Sequence, residues 1–276
     1  MKEIFIIKNS GEKDLFSFEK LKRSLKRSGA TNENINKVVE GIKPQLYDGI
    51  STKKIYKKAF LLLKKSNRTC ASKYSLKRAL FKLGPTGYPF ERLVGALLKH
   101  KGYKTKVGVI LQGECVTHEI DVLAEKGGNS YAVECKFHLK SNFSNNVKIP
   151  LYINSRFIDI QKQWNGNPKN TTILKQGWLV TNTRFSLDAI KYSECIGLRL
   201  LSWDYPKNNG IEKNISDFGL YPITVLTTIT KREKDQIIAN DIILIKELMN
   251  APEILNKIRI SSDRISRILS ELEHLI

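Results

Sequence analysis

Apolar residues recur at helical spacing through most of the first 83 positions. Phe18, Leu21 and Leu25 make one stripe, with Ser17 placed to cap the helix and Gly29 to end it. Ile35, Val38, Val39 and Ile42 predict a second helix over about 32–42, stopped by Pro44. Ile55, Ala59, Leu62 and Leu63 predict a third, capped by Ser51 or Thr52, and a fourth spans about 70–83. Ahead of them, residues 3–8 and the Leu15-Phe16 pair read as short strands on either side of a turn at Gly11. The run Gly84-Pro85-Thr86-Gly87-Tyr88-Pro89 then breaks the pattern and marks a boundary.

Beyond it, Phe90, Leu93, Val94, Leu97 and Leu98 predict a helix that Gly102 ends. Residues 103–107 alternate like a strand, and 117–137 read as a hairpin whose turn lies within 125–130. A polar loop over 141–149 leads to a helix over 151–164, a buried strand over 176–182, a helix near 186–195 and a strand over 198–203. The order helix, strand, strand, strand, helix, strand, helix, strand predicts an α/β fold with a central mixed sheet. The chain is polar to about 218. Residues 230–276 read as wholly helical, with a stripe of Ile265, Ile268, Leu269, Leu272, Leu275 and Ile276 capped by Ser261 or Ser262. Three segments are expected: 1–84, 86–206 and a helical 220–276.

Composition narrows the class. The 276 residues are 41% hydrophobic and 27% charged, enough to bury a core. There is no apolar run long enough to span a membrane and no signal-peptide pattern, so a cytoplasmic protein is expected. The four cysteines have no framework spacing and read as reduced, mostly buried thiols. The formal charge is +20, and residues 1–84 hold 21 Lys and Arg against 7 Asp and Glu. That concentration favours a polyanionic partner, whether nucleic acid, a nucleotide or an acidic membrane surface, against the plain alternative of a solvated basic surface; DNA and a nucleotide are the expected partners, and no membrane.

The hairpin contains the candidate chemistry. Asp121 interrupts one apolar run, and Glu134 and Lys136 interrupt the other. Side chains alternate along a strand, so Glu134 and Lys136 share a face. Two carboxylates and a lysine among apolar neighbours suit metal-dependent hydrolysis better than a solvated ion-pair ladder, because buried charges need a partner. Cys115-x-x-His118 and Cys135-x-x-His138 suggest a zinc site, but on strands residues three apart face opposite sides. His118 is expected near the site, Cys135 in the core, and Gln161 and Arg156 on the following helix as weaker candidates for phosphate contact.

Two resemblances extend this reading. Residues 86–206 resemble the restriction-endonuclease-like PD-(D/E)XK superfamily, in its Mrr-type branch, through Phe90-Glu91, His118-Glu119-Ile120-Asp121 and Glu134-Cys135-Lys136. Ile120 stands where the superfamily usually has Pro. The resemblance implies Mg²⁺ on Asp121 and Glu134, with Lys136 and Glu91 completing the catalytic set. Residues 1–84 resemble the ATP-cone, a nucleotide-binding regulatory module, through three segments: Ile7-Lys8-Asn9-Ser10-Gly11, Phe16-Ser17-Phe18-Glu19-Lys20-Leu21 and 46–56. It implies phosphate contacts from Lys8 and Lys20, with Asp14, Ser17 and Thr52 beside an ATP or dATP regulator. Asn9 replaces the cone's usual Arg, and Tyr56 a frequent His.

Together these imply a Mg²⁺-dependent DNA endonuclease regulated by ATP or dATP, in restriction or repair, with cutting of both strands implying a homodimer. The alternative is a nucleotide-responsive DNA-binding regulator with an inactive nuclease fold.

Overall fold

The computed structural model describes residues 3–8 and 10–275, a mixed α/β structure with a central mixed sheet and a helical C-terminal segment. Asn9 of the opening segment and Ile276 of the last stripe lie outside the described residues. The chain divides into two bodies. One comprises Met1–Ala79, Ile223–Ala239 and Leu248–Ile276, the other Leu80–Pro222 and Asn240–Glu247. The stretch after Pro222 is thus divided between them, with Asn240–Glu247 in the second body and the rest in the first.

In the first body, β1 (Phe5–Ile7) pairs antiparallel with β2 (Lys13–Leu15), and α1 (Phe18–Arg27) and α2 (Asn32–Ile42) follow. The strand β3 (Ile50–Ser51) returns parallel to β1. Next come α3 (Thr52–Ser66), α4 (Arg68–Tyr74) and α5 (Leu76–Leu80). Ser17, Thr31 and Ser51 accept the backbone N–H of Lys20, Asn34 and Lys54, each satisfying one orphan donor of a first turn. The helix expected over 70–83 is two helices parted at Ser75, whose hydroxyl donates to the Ser72 carbonyl at 2.8 Å. The predicted stripes meet in one core containing Leu21, Leu25, Ile35, Val38, Ile42, Ile55 and Leu63. Each fully buried aliphatic side chain there contributes about 1.5–3 kcal/mol.

The second body opens with α6 (Tyr88–His100), then β4 (Lys104–Gln112), β5 (Thr117–Lys126), β6 (Asn129–Lys136) and the short β7 (Ser144–Asn145). It continues with α7 (Lys148–Gly166), β8 (Ile173–Thr181), β9 (Arg184–Phe185), α8 (Leu187–Ile196), β10 (Arg199–Leu201) and α9 (Ile211–Phe218). The five-stranded sheet runs β10-β8-β6-β5-β4, antiparallel on the β4–β5–β6 side and parallel from β6 to β10. Three features depart from the pattern. The helix α9 lies in the stretch read as polar, with Ile211 and Ile215 buried. The strand β4 runs on to Gln112. The pair β7–β9 forms a small parallel sheet.

Two glycines shape the sheet near the hairpin. A Cβ on Gly95 would lie 3.1 Å from Val107, so its absence lets α6 sit close on that face, over Val107 and Val122. Val109, Ile120, Leu123 and Ala132 instead join the core made with Phe157 and Ile160 of α7. Val107 and Val109 thus face different helices although they are two residues apart. The alternation slips at Gly108, at φ +65°, which lies opposite Asp121 in the register.

The last elements are α10 (Lys231–Ala239), α11 (Ile245–Asn250), α12 (Ile254–Lys257) and α13 (Ser262–Glu273). Residues 230–276 are therefore not one helical run. Asp241 and Arg259 take left-handed conformations at φ +65° and +62° and interrupt it. Among the described residues, no helix is long and apolar enough to cross a membrane. All four cysteines are free, but only Cys70 and Cys135 are buried; Cys115 and Cys195 are exposed, contrary to expectation.

Candidate active site

The paired ladder of β5 and β6 ends at Val122 and Val133. The next residues outward are Asp121 and Glu134, so the hairpin opens where its two acids stand. Asp121 Oδ2 accepts the backbone N–H of Cys135 at 2.6 Å, which fixes the carboxylate against β6. Glu134 is 7% exposed, and both of its oxygens are engaged. Lys136 Nζ donates to Oε1 at 2.6 Å, and Arg156 Nη1, from α7, donates to Oε2 at 2.7 Å. The second Arg156 nitrogen, Nη2, donates to the Glu119 carbonyl at 2.5 Å and ties α7 to β5. Two cations around one buried carboxylate offset its desolvation cost.

Among the described residues, the other two acids have no such close pair of cations. Burial, then the Glu134 charge, pushes the Asp121 carboxyl up to about 6, despite the opposing Cys135 N–H and the Lys136 and Arg156 charges. Glu91, in the first turn of α6, is pushed up to about 7 by burial and by the charges of Asp121, Glu119 and Glu134. Burial first, and the neighbouring acids second, thus raise both carboxyls toward neutral pH. The Cys135 thiol is driven well above its ordinary range by burial and the same acids, so it is an inert core group.

A polar network behind the site holds the end of β6. Thr181 donates to the Lys136 carbonyl at 2.7 Å. Asn182 brackets His138, accepting its N–H at 2.9 Å and donating to its carbonyl at 2.8 Å. Buried Asn145 donates to Thr181, Thr183 and the Arg184 carbonyl, and its oxygen meets the His138 ring at 3.0 Å. These residues escape a motif-based reading. The available signal was Thr181-Asn182-Thr183, three polar residues ending a buried strand.

The remaining candidates fall elsewhere. His118 is held by Asp159 at 2.7 Å, and that contact, followed by the Cys115 N–H, draws the Asp159 carboxyl down to about 2. Gln161 donates to the Leu174 carbonyl at 2.9 Å, a packing contact of α7 with β8. The two Cys-x-x-His pairs do not assemble. Cys115 lies in the turn before β5, Cys135 is in the core, and the His138 ring stacks on Phe143. Glu114, Cys115 and Asp159 do bring ligand atoms within 4.8 Å of one another, but Lys162 pairs with Glu114 at 2.9 Å and His118 with Asp159. Among the described residues, Glu91, Asp121 and Glu134 form no such trio.

Of the nucleotide candidates, three gather. Asp14 lies 3.1 Å from Lys8 and 3.5 Å from Lys20, and the Lys8 contact holds its carboxyl below the usual range. Ser17 is occupied as the α1 cap, while Thr52 opens α3 beside the capping Ser51. A 490 Å³ cavity in the same body is lined by Ile4, Leu15, Phe16, Phe18 and Leu46, with Glu3 and Lys43. None of the five nucleotide candidates lines it.

Comparison with known proteins gives a family but no activity. Residues 221–276 match the model for the C-terminal region of AF1548-like proteins. A protein of Archaeoglobus fulgidus, described as uncharacterized, is 36% identical over 181 residues, which are 65% of this chain and 98% of the relative. A crystal structure of AF1548, a protein of unknown function, superposes with a TM-score of 0.56 at 36% identity, covering 68% of this chain and 97% of that one. The chain belongs to the AF1548-like family.

Proposed function

We propose that this protein is a Mg²⁺-dependent DNA endonuclease of the restriction-endonuclease-like kind, with an ATP-cone-like N-terminal part that senses ATP or dATP. The observation that carries the reading is the set of Asp121, Glu134 and Lys136 at the open end of the hairpin, with Glu91 close enough to share its electrostatics.

The hard carboxylate oxygens of the acids suit a divalent cation in kind, and their buried, crowded setting supports the reading. Asp121 and Glu91 are raised to about 6 and about 7 by burial and mutual repulsion, which a cation would relieve. Asp121 and Glu134 would hold Mg²⁺ with a carbonyl of Val133 or Cys135, and the ion would supply Lewis acidity toward the phosphate and a more acidic water. Hydrolysis joins a water oxygen to phosphorus and breaks one phosphorus–oxygen ester bond, and the leaving sugar oxygen takes a proton. Lys136 orients the water and opposes the charge growing on the phosphoryl oxygens. Glu91, balanced between its two forms near pH 7, can exchange a proton at its carboxyl. Arg156 holds Glu134 in place.

One observation favours a second reading. Both oxygens of Glu134 already have cationic partners, as in a closed structural ion-pair network. That suits a nucleotide-responsive DNA-binding regulator without cleavage. Incubation with supercoiled plasmid and circular single-stranded DNA in Mg²⁺ or EDTA separates the two. Nicking that EDTA abolishes supports the nuclease; DNA binding weakened by ATP, with no cut on any substrate, supports the regulator.

A further inference from the structure

A compact basic recess lies in the first body. Its wall is Lys64 in the last turn of α3, Arg68 at the start of α4, the Thr227-Thr228 loop, and Arg264 and Arg267 on α13. The recess has a volume of 230 Å³.

Its floor is fixed from behind. The Glu271 carboxylate accepts the backbone N–H groups and the hydroxyls of both Thr227 and Thr228, together with the Ser72 hydroxyl at 2.9 Å. The acid is buried, yet its pKa is lowered: burial works against the charge, and the hydrogen bonds from Thr228, Thr227 and Ser72 outweigh it. Arg264 is likewise committed. It pairs with Glu233 through two contacts, at 2.6 and 2.9 Å, and donates to the Thr228 carbonyl at 3.1 Å. Among the described residues, Lys64, Arg68 and Arg267 have no such acid partner. With both carboxylates counted against four cations, the recess keeps two positive charges on a rigid frame.

We infer that this recess seats a backbone phosphate of nucleic acid, an anchoring point separate from the Asp121–Glu134 site. Clustered Lys and Arg side chains on three helices, around a loop held by Glu271, suit a phosphodiester. The volume decides against a free nucleotide, since pockets that enclose whole small molecules run from about 300 to 1,000 Å³. The anchor does not depend on whether the sheet site cuts.

The test is binding of a fluorescent duplex to the full chain in EDTA, where no cleavage occurs, over a series of salt concentrations. The Lys64→Ala/Arg68→Ala/Arg267→Ala variant should weaken binding at least about tenfold and reduce the salt slope by about 1, for the one phosphate the recess seats. The charge-matched Lys169→Ala/Lys191→Ala/Lys207→Ala variant should stay within about twofold of wild type. Should the triple variant fail to match the wild-type melting temperature, Arg68→Glu alone reports the same loss. A folded recess variant with wild-type affinity and slope overturns the anchor, as does a wild type that binds no DNA. ATP or inorganic phosphate that saturates the recess at micromolar concentration and displaces duplex in wild type alone would make it a free-anion site and also overturn it. Loss of cleavage in a Lys136→Ala protein that still binds duplex bears on the sheet site and leaves the anchor standing.

Discussion

Asp121 Oδ2 accepts the Cys135 amide at 2.6 Å across the open end of the hairpin. The bond holds an acid that burial has raised to about 6 against the strand that bears Glu134 and Lys136. Asp121→Asn keeps an oxygen able to accept that amide. The variant should fold with a near-normal melting temperature and lose at least about 100-fold in cleavage rate, measured by plasmid nicking in Mg²⁺. Nicking within threefold of wild type would exclude Asp121 from the chemistry.

The raised acids set a pH dependence. An acid whose folded pKa exceeds its unfolded value stabilises the fold fully below the unfolded pKa and loses that contribution as pH rises through the folded pKa. For Glu91 and Asp121 the window runs from about 4 up to about 7. Without metal, the melting temperature should fall across that window, and Glu91→Gln should flatten the decline. Added Mg²⁺ should restore stability more at pH 7.5 than at pH 5.5, and Asp121→Asn should remove most of that gain. A metal-independent, pH-flat melting curve would count against the acidic cluster.

Arg156 binds Glu134 and the Glu119 carbonyl at once. Arg156→Met leaves a nearly buried carboxylate with Lys136 as its remaining cationic partner and should cost about 3 kcal/mol by denaturant unfolding. Cleavage should fall as well, because Glu134 is then free to reorient. A loss under about 0.5 kcal/mol would show that the pair is solvent-screened.

In the other body, Glu271 collects hydrogen bonds from Ser72, Thr227 and Thr228. Glu271→Ala strands several buried donors and should cost about 3 kcal/mol, with Glu271→Gln losing less. Its lowered pKa adds a sign: this contribution is present above the unfolded value and is lost as pH falls through the folded one. Acid titration of wild type and Glu271→Gln, monitored by circular dichroism, reads the difference.

The nucleotide proposal rests on Lys8 and Lys20 meeting around Asp14. Calorimetry with ATP and dATP should give binding heat for wild type and none for Lys20→Ala. No heat for wild type would make this part a basic docking module instead.

Much of the architecture was legible because burial imposes a period. Leu21, Leu25, Ile35, Val38, Ile55 and Leu63 stood out at helical spacing and are core residues. The shared face of Glu134 and Lys136 followed from strand alternation alone, and the Lys136–Glu134 contact realises it. What escaped depends on distant partners or on backbone shape. Arg156 reaches Glu134 from another element, 22 residues on. Asn145 and Asn182 look like loop residues until Thr181 and His138 are brought beside them. The slip at Gly108 lies just past the strand read over 103–107, where the alternation gives no sign of it. The break at Arg259 was hidden because a non-glycine residue takes the left-handed turn.

The most direct test is nicking of supercoiled plasmid by wild type and Lys136→Ala side by side, in Mg²⁺ and in EDTA. A Mg²⁺-dependent nuclease nicks in Mg²⁺ only, and Lys136→Ala, still folded and still binding DNA, is slower by at least about 100-fold. Equal nicking by both proteins, or none by wild type on any DNA, methylated or single-stranded, would contradict the nuclease assignment.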